Sequence, residues 1–284
     1  MTADLAAIRR RYAELMTSPV PGADPRIRAA LSTVPREDFL GPPPWTVRGA
    51  SMPLTSRDPA DLYHDVLVTL DASRRVNNGS PSLHAQMLHR LGVQPGQRVL
   101  HLGTGGGYYT ALLAELAGPA GQVTAVEFDA HLAEAARDNL RPWPQVTVLH
   151  GDGAAYPGAA VDRIYVSFGL ARPADGWLDH LVVGGVLIFP LVVPDAQARP
   201  PLSGRGTMLV VTRTPAGFAA SAEMPVGFVF AEGPTAGDEA LRAALRLAFG
   251  RGDEDQVRSL HRHRLPAERS WLSTDRFSLG LDPP

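Results

Sequence analysis

Apolar and polar positions along the chain first predict a series of amphipathic helices. In the segment 4–17 the apolar residues recur at helical spacing. Asp24, which precedes a proline, is typical of the start of a second helix. A third helix is predicted to begin at Ser80 and to end at Gly92, because serine caps helix starts and glycine ends helices. The N-terminal part of the chain is therefore predicted to be mainly helical.

From Arg98 onward, short apolar runs alternate with amphipathic segments, which is typical of a parallel sheet flanked by helices. The predicted strands are 98–102, 122–127, 146–150, 162–167, 186–191, 208–212 and 224–230. The intervening and following helices are predicted to begin near Tyr108, Asp129, Pro173 and Asp238. The last two strands could form an antiparallel edge. Residues 194–206 are predicted to be a surface excursion, because proline and polar residues dominate them.

These elements predict an α/β fold with a mostly parallel seven-stranded sheet and helices on both faces. N-terminal helices precede the sheet, and a small C-terminal helical extension follows it. Three parts are predicted. Residues 1–92 would form a helical segment and a loop that meets the ligands, residues 93–234 the ligand-binding core, and residues 235–284 the extension.

One predicted strand, 98–102, runs directly into a glycine-rich turn. Gly103, Gly105 and Gly107 alternate with other residues there. Glycine allows a ligand to approach the backbone closely, because it lacks a Cβ and tolerates positive φ. The helix that follows offers free amide donors and a partial positive charge at its start. The turn therefore predicts a site for a nucleotide-like ligand.

Side chains at the ends of this and the next strands narrow the choice of ligand. Tyr108 stands where a dinucleotide-binding turn would have glycine, and the chain has no lysine for a phosphate-binding loop. Glu127 ends the second strand, where a carboxylate can accept hydrogen bonds from both hydroxyls of a ribose. Asp152 follows the third strand, where an adenine amino group could be met. We therefore expect an adenosine group without phosphates.

Composition excludes several other classes of protein. The formal net charge is −2, so nothing in the charge balance favours a nucleic-acid or membrane-surface partner. All 27 basic residues are arginine, and the chain has no cysteine, which excludes disulfides and thiolate chemistry. No apolar segment has the length of a signal peptide or a membrane span, so a cytoplasmic protein is expected. His261 and His263 are two residues apart with no nearby acidic partner, so we expect no metal site.

Several segments together resemble a known family. The motifs at 100–108, 126–127, 151–153 and 182–190 resemble those of class I S-adenosylmethionine-dependent methyltransferases. Within that class, the segments 24–39, 63–65 and 78–85 are similar to the entry helix, the following loop and the pre-motif loop of protein-L-isoaspartate O-methyltransferases. The resemblance covers roughly residues 20–232. It implies a Rossmann-like fold and methyl transfer to a carboxylate of an isoaspartyl or aspartyl residue in a protein or peptide.

The resemblance also implies S-adenosylmethionine as the cofactor, and it implies which residues bind it. The cofactor-binding residues implied are Val76, Asn77, His84, His101, Gly103, Thr104, Gly105, Gly107, Glu127, Phe128, Asp152 and Gly153. The loop before the third helix and His84 would flank the methionine end, and the glycine turn would pass under it. Glu127 would hold the ribose, and Asp152 with Gly153 the adenine. The loop residues expected at the methyl acceptor are Asn78, Gly79 and Ser80.

Two positions depart from the family pattern. His101 replaces the acidic residue usual at the end of the first core strand, so no fixed negative charge stands there. The family's loop serine falls on Gly79 when the following prolines are aligned, which leaves Ser80 one position late. Ser80 could substitute for that serine or could simply cap the helix.

The expected reaction is a direct in-line transfer of methyl to an oxygen of the acceptor. A carboxylate with a pKa of about 4 is already ionised at neutral pH, so no general base is required. Orientation would do most of the work, and the helix start after the loop could bind the acceptor carboxylate. Three alternatives stay open. One is a methyltransferase that tailors a ribosomally made peptide, and another is one for a small natural product, where a hydroxyl acceptor would need His84 or His101 as base. The third is a non-catalytic S-adenosylmethionine-binding module.

Overall fold

The computed structural model describes residues 4–49, 54–156, 158–194, 203–231 and 234–284. The chain divides into two compact units, Met1–Gly153 and Ala154–Pro284. All of the candidate site residues lie in the first unit. In the described part of the chain, no helix is long and apolar enough to cross a membrane, and no group of three or more potential metal ligands is found.

The helices of the first unit begin and end largely where the sequence predicts. They are α1 (Leu5–Thr17), α2 (Pro25–Thr33), α3 (Pro81–Leu91), α4 (Tyr108–Ala117) and α5 (Ala130–Asn139). The predicted capping residues act as such, because Asp24 and Ser80 accept hydrogen bonds from first-turn amides. Gly92 ends α3 in the left-handed conformation, with φ of 60°.

A small antiparallel sheet follows α2 and was not predicted. Its strands are β1 (Trp45–Arg48), β2 (Leu54–Ser56), β3 (Leu67–Asp71) and β4 (Val76–Asn77), in the order β2-β1-β3-β4. Each strand has five residues or fewer, too few to display a clear alternation in the sequence. The hairpin β3–β4 leads directly into the loop that precedes α3.

Three parallel strands form the core of the first unit. They are β5 (Arg98–Leu102), β6 (Gln122–Glu127) and β7 (Val146–His150), in the order β5-β6-β7, with the bounds that the sequence predicts. Leu102 is opposite Val126, and Glu127 is opposite His150. The carboxyl ends of all three strands therefore lie along one edge, where the glycine turn begins and where ligands bind in such folds.

The second unit contains the remaining strands and two helices. They are β8 (Val161–Val166), α6 (Asp175–His180), β9 (Leu181–Pro194), β10 (Ser203–Thr214), β11 (Gly217–Val229), α7 (Glu239–Arg251), β12 (Ser259–His261), β13 (Ser270–Ser273) and β14 (Ser278–Gly280). Their order is β8-β9-β10-β11-β12-β14-β13. Of the strand pairs described within this unit, β8–β9 is parallel and the others are antiparallel, and the antiparallel pairing of β10 and β11 confirms the predicted edge.

Two segments of the second unit differ from their predictions. The surface excursion predicted for 194–206 is wrong at both ends, because Pro194 belongs to β9 and pairs with Gly204, and 203–206 pair with β11. Residues 195–202 lie outside the described residues. The C-terminal extension contains three short strands besides α7. The extension, predicted to be helical, therefore contains paired strands as well: His261 pairs with Ser278, and the neighbouring Arg262 forms an ion pair with Asp179.

Candidate functional site

The glycine turn is tied to the neighbouring strand by its backbone. The amide of Gly103 donates to the carbonyl of Val126 at 2.9 Å, and the amide of Gly107 donates to that of Thr104 at 3.0 Å. The hydroxyl of Thr104 also donates to Val126 O, at 3.3 Å. Gly103, Gly105 and Gly107 all have positive φ, which L side chains rarely adopt. The sequence therefore folds here into a tight turn that opens α4.

Packing also requires glycine within this turn. A Cβ on Gly106 would lie 2.1 Å from the carbonyl oxygen of Phe39. A Cβ on Gly107 would lie 3.0 Å from the Leu140 side chain. The absence of side chains at these two positions thus serves contacts within the protein, independently of any ligand.

Glu127 sits at the end of β6 beside the glycine turn, with only 7% of its surface exposed. Its Oε2 accepts from the amide of Gly105 at 2.7 Å, and its Oε1 accepts from the amide of Asp129 at 3.0 Å. Burial raises the pKa of Glu127, and the backbone amides partly offset that rise. Phe128, the next residue, is 55% exposed. The carboxylate is thus fixed in direction, and each oxygen retains acceptor capacity.

His101 lies under the glycine turn and is completely buried. Its Nδ1 is 2.8 Å from the hydroxyl of Thr110 on α4. Burial lowers the pKa of His101 to about 3, so the imidazole is neutral at physiological pH. The site therefore has neither the negative charge of an acidic residue nor a positive charge at this position.

Asp152 and Gly153 follow β7 at the same edge. The amide of Gly151 donates to the carbonyl of Glu127 at 2.9 Å, which ties this turn to the end of β6. Gly153 is buried, and a Cβ there would lie 3.0 Å from the Leu102 side chain. Asp152 is partly exposed. The structure therefore brings the predicted ribose and adenine residues to one edge.

The predicted acceptor loop continues the hairpin β3–β4 and is held by its own asparagines. Asn78 exchanges two hydrogen bonds with Val68: its amide donates to Val68 O at 3.0 Å, and its Oδ1 accepts from Val68 N at 2.8 Å. The Oδ1 of Asn77 accepts from the amide of Gly79 at 2.9 Å. The Nδ2 of Asn78 is buried and has no hydrogen-bond partner among the residues that the structure describes. An unpaired buried donor is costly, so this atom is available to a bound ligand.

Gly79 has no space for a side chain. Its φ is 74°, and a Cβ there would lie 2.2 Å from Nε2 of His84. His84 is buried and stacks on Tyr109, with ring centroids 3.6 Å apart. Burial lowers the pKa of His84 well below its usual value, so this imidazole is also neutral. The serine that the family pattern has at this position is therefore incompatible with the His84 packing seen here.

Ser80 is the N-cap of α3 and accepts from the amide of Leu83 at 3.4 Å. Its hydroxyl donates to Oδ1 of Asp65 at 2.8 Å, and the amide of Ser82 donates to the same oxygen at 3.1 Å. The first-turn amides that the sequence assigned to an acceptor carboxylate are thus paired within the chain. Asp65 lies in the family-like segment 63–65, but no sequence pattern predicts its contact with α3, since sixteen positions of chain separate Asp65 from Pro81.

The pKa of Asp65 lies below its usual value. Burial alone would raise it, but hydrogen bonds from Ser82 and Ser80 and the charge of Arg36 outweigh burial. Arg36 is fully buried and donates to the carbonyls of His64 at 3.2 Å and Val66 at 2.7 Å. The buried guanidinium therefore fixes the segment that presents Asp65 to α3.

Comparison with known proteins identifies the family. The family model described as protein-L-isoaspartate(D-aspartate) O-methyltransferase matches residues 20–204. A protein-L-isoaspartate O-methyltransferase of Ignicoccus hospitalis is 34% identical over 207 residues, which are 72% of this chain and 87% of that protein. The chain belongs to the protein-L-isoaspartate O-methyltransferase family. Another member of the family, from Nitrobacter winogradskyi, is 31% identical over 211 residues, or 73% of this chain and 85% of that protein.

Solved structures of family members share the fold. A protein-L-isoaspartate O-methyltransferase superposes with a TM-score of 0.62 at 22% identity, covering 90% of this chain and 72% of that one. A Plasmodium falciparum β-aspartate methyltransferase in complex with S-adenosyl-L-homocysteine superposes with a TM-score of 0.61 at 17% identity, covering 79% and 98%. The predicted class I α/β fold is thereby confirmed. The chain is an S-adenosylmethionine-dependent methyltransferase, as its motifs predicted.

Proposed function

We propose that this protein-L-isoaspartate O-methyltransferase relative transfers methyl to a carboxylate of an isoaspartyl, or of an aspartyl, residue in a protein or peptide. Its relatives are named for action on isoaspartate. The single observation that carries the proposal is the buried carboxylate of Glu127, which is fixed by two amides beside a turn of positive-φ glycines. This combination suits an uncharged adenosyl group.

The residues present fit S-adenosylmethionine. Glu127 would accept from the ribose hydroxyls through its remaining lone pairs. Phe128 offers an exposed aromatic face next to it, and Asp152 with Gly153 would meet the adenine. Val76, Asn77 and His84 would line the methionine end, where the backbone of the glycine turn also lies. When bound, the cofactor supplies an electrophilic methyl group on a positively charged sulfur.

The chain's own residues would act on the acceptor by orientation. An ionised carboxylate needs no base, and His84 and His101 are buried and neutral, in keeping with a site that moves no proton. The unpaired Nδ2 of Asn78 is a donor that an acceptor carboxylate or the cofactor's own carboxylate can use. The first-turn amides of α3 are engaged by Asp65 and Ser80, so we assign them to holding the loop in place. Positioning of this kind can contribute about 7 kcal/mol or more to lowering a barrier.

A methyl-transfer assay tests the proposal. The purified chain would be incubated with radiolabelled S-adenosylmethionine and one of three acceptors: an isoaspartyl peptide, its aspartyl twin, or none. We expect base-labile label on the isoaspartyl peptide. The Glu127→Gln variant should need a higher cofactor concentration, because a neutral amide is a weaker acceptor than a carboxylate. Absence of S-adenosylhomocysteine binding by calorimetry would contradict the proposal as a whole.

A second candidate function follows from Gly79. Since His84 fills the space that a serine side chain would need, the acceptor loop differs from the family pattern at its centre. We therefore include an enzyme that tailors aspartate in a dedicated peptide. Label on the aspartyl twin, equal to or above that on the isoaspartyl peptide, would favour this second function over repair of damaged proteins.

A further inference from the structure

The tip of the hairpin β3–β4 reaches the residues that follow Glu127. Arg74, in the hairpin turn, forms an ion pair with Asp129: Nη1 of Arg74 lies 2.8 Å from Oδ2 of Asp129. The same guanidinium lies over the exposed ring of Phe128, with Cζ 5.9 Å from the ring centroid. An ion pair and a cation–π contact thus join the hairpin to the rim of the proposed cofactor site.

The hairpin touches the glycine turn as well. The side chain of Leu70, on β3, lies 3.2 Å from the point where a Cβ on Gly105 would be. At the other end, β4 continues into Asn78, which is locked to Val68 of β3 by two hydrogen bonds. The hairpin and the acceptor loop are therefore one connected piece that lies against the cofactor turn.

Both partners of the ion pair are held in place. Asp129 caps α5 with Oδ1, which accepts from the amides of His131 and Leu132 at 2.9 and 3.0 Å, and it uses Oδ2 for Arg74. The amide of Arg74 donates to Asp71 at 3.2 Å, and Asp71 also accepts from Ser73. Partners that are already held in place lose little entropy when they pair. This contact therefore stabilises the folded protein more than an ion pair between two mobile side chains would.

We infer that Arg74 is a positioning residue for the cofactor: it fastens the β3–β4 hairpin against the end of β6 and thereby slows release of the adenosyl product. The inference rests on the proposed function, because it takes the edge at Glu127 as the cofactor site. Because Leu70 lies beside the glycine turn and Arg74 lies over Phe128, movement of the hairpin would open this edge, and the Arg74–Asp129 contact opposes that movement.

The test measures S-adenosylhomocysteine binding by calorimetry and its dissociation rate by stopped flow on the full chain. Arg74→Gln removes the charge at the contact, and Asp129→Asn removes the opposite charge while an asparagine still caps α5. We expect each to weaken binding about fivefold, chiefly through faster dissociation. Their effects should not multiply in the double variant, because both remove the same contact.

Arg75→Gln is the matched control, since it removes the same charge from the same turn; Arg75 is exposed. It should change binding by less than about twofold. Arg74→Lys should recover part of the affinity. The KM for S-adenosylmethionine should rise in Arg74→Gln with kcat unchanged or higher, and the urea midpoint should stay close to that of the parent chain.

Equal effects of Arg74→Gln and Arg75→Gln would overturn the inference, as would multiplying effects of Arg74→Gln and Asp129→Asn. A fall in kcat that follows a lowered urea midpoint would also overturn it, because that result describes a merely structural arginine. If the parent chain itself fails to bind S-adenosylhomocysteine, the proposed function fails, and that outcome is distinct from the others.

Discussion

The glycine turn and the acceptor loop lie in the same unit, and both depend on glycine, but for different reasons. In the turn, Gly106 is required because the backbone of Phe39 passes beside it. In the loop, Gly79 is required because the His84 ring edge fills the space next to it. A backbone atom cannot yield, whereas a side chain can be changed by substitution. The turn is therefore fixed by the fold, and the loop by one replaceable residue.

The glycine turn follows the family pattern, whereas the loop before α3 departs from it. The turn keeps the glycine pattern typical of S-adenosylmethionine-dependent methyltransferases. Its hydrogen bonds to β6 run from its own amides and the Thr104 hydroxyl to the carbonyl of Val126 and the carboxylate of Glu127. The loop has a glycine in place of the family serine, and its other polar groups bond within the protein: Asn77 to Gly79, and Ser80 to Asp65. We therefore expect the glycine turn to tolerate fewer substitutions than the loop before α3 does.

Gly106→Ala should have the largest effect. The added Cβ would meet the Phe39 carbonyl at 2.1 Å, so the 3-10 helix Arg36–Phe39 or the turn has to shift. We expect the free energy of unfolding, measured by urea denaturation, to fall by about 3 kcal/mol or more. Gly176→Ala is the control, because nothing lies within 4 Å of a Cβ there. If Gly106→Ala lowers the free energy of unfolding no more than Gly176→Ala does, the backbone of Phe39 is not what requires glycine in the turn.

The contact between Gly106 and Phe39 illustrates which features of the fold the sequence predicts and which it does not. Periodicity and caps predicted the core helices and strands, because those signals are local, and the ends of β5, β6 and β7 then placed Glu127 and Asp152 at one edge. The contact between Gly106 and Phe39 joins segments far apart in the chain, and no local pattern records it. The same holds for Asp65 at the start of α3 and for β12, which is short and pairs with β11 and β14, both well separated from it in the chain.

Gly79→Ser tests the loop by restoring the residue type that the family pattern has there. The φ of 74° and the distance of 2.2 Å to His84 predict a loss of about 2 kcal/mol in unfolding free energy and lower, not higher, methyl transfer. Combining it with His84→Ala should recover part of the loss, because the clash is removed. Strictly additive losses in the double variant would show that His84 is not what excludes the serine.

The two buried histidines should make stability fall with acid. His101 has a folded pKa of about 3, and the pKa of His84 is also depressed, while both titrate near 6.5 when unfolded. Below pH 6.5 the unfolded state therefore binds more protons, so the free energy of unfolding should fall by about 1.4 kcal/mol per pH unit for each histidine. Urea titrations between about pH 5 and 6.5 measure this fall at pH values where ordinary carboxylates, with pKa values of about 4, remain ionised. Glu127, whose pKa burial raises, is the same in every variant compared.

Substituting each histidine separately shows how much of the pH dependence of the unfolding free energy comes from the glycine turn and how much from the loop before α3. His101→Gln should remove the share that comes from beneath the turn, and His84→Gln the share that comes from the loop, each about one proton. If His101→Gln does not change this pH dependence of the unfolding free energy, His101 is protonated in the folded protein and the imidazole beneath the glycine turn is not neutral.

Ser80→Ala should have the smallest effect and decides what the displaced serine does. Ser80 caps α3 and bonds to Asp65, so its loss should cost about 1 kcal/mol in unfolding free energy, and Ser80→Thr should restore most of it. Because Asp65 still holds Ser82, the start of α3 stays in place, and kcat should change by less than about twofold. A large fall in kcat at the same modest loss of stability would mean that the Ser80 hydroxyl takes part in methyl transfer. In that case Ser80 would perform the role of the family's loop serine from one position later in the chain.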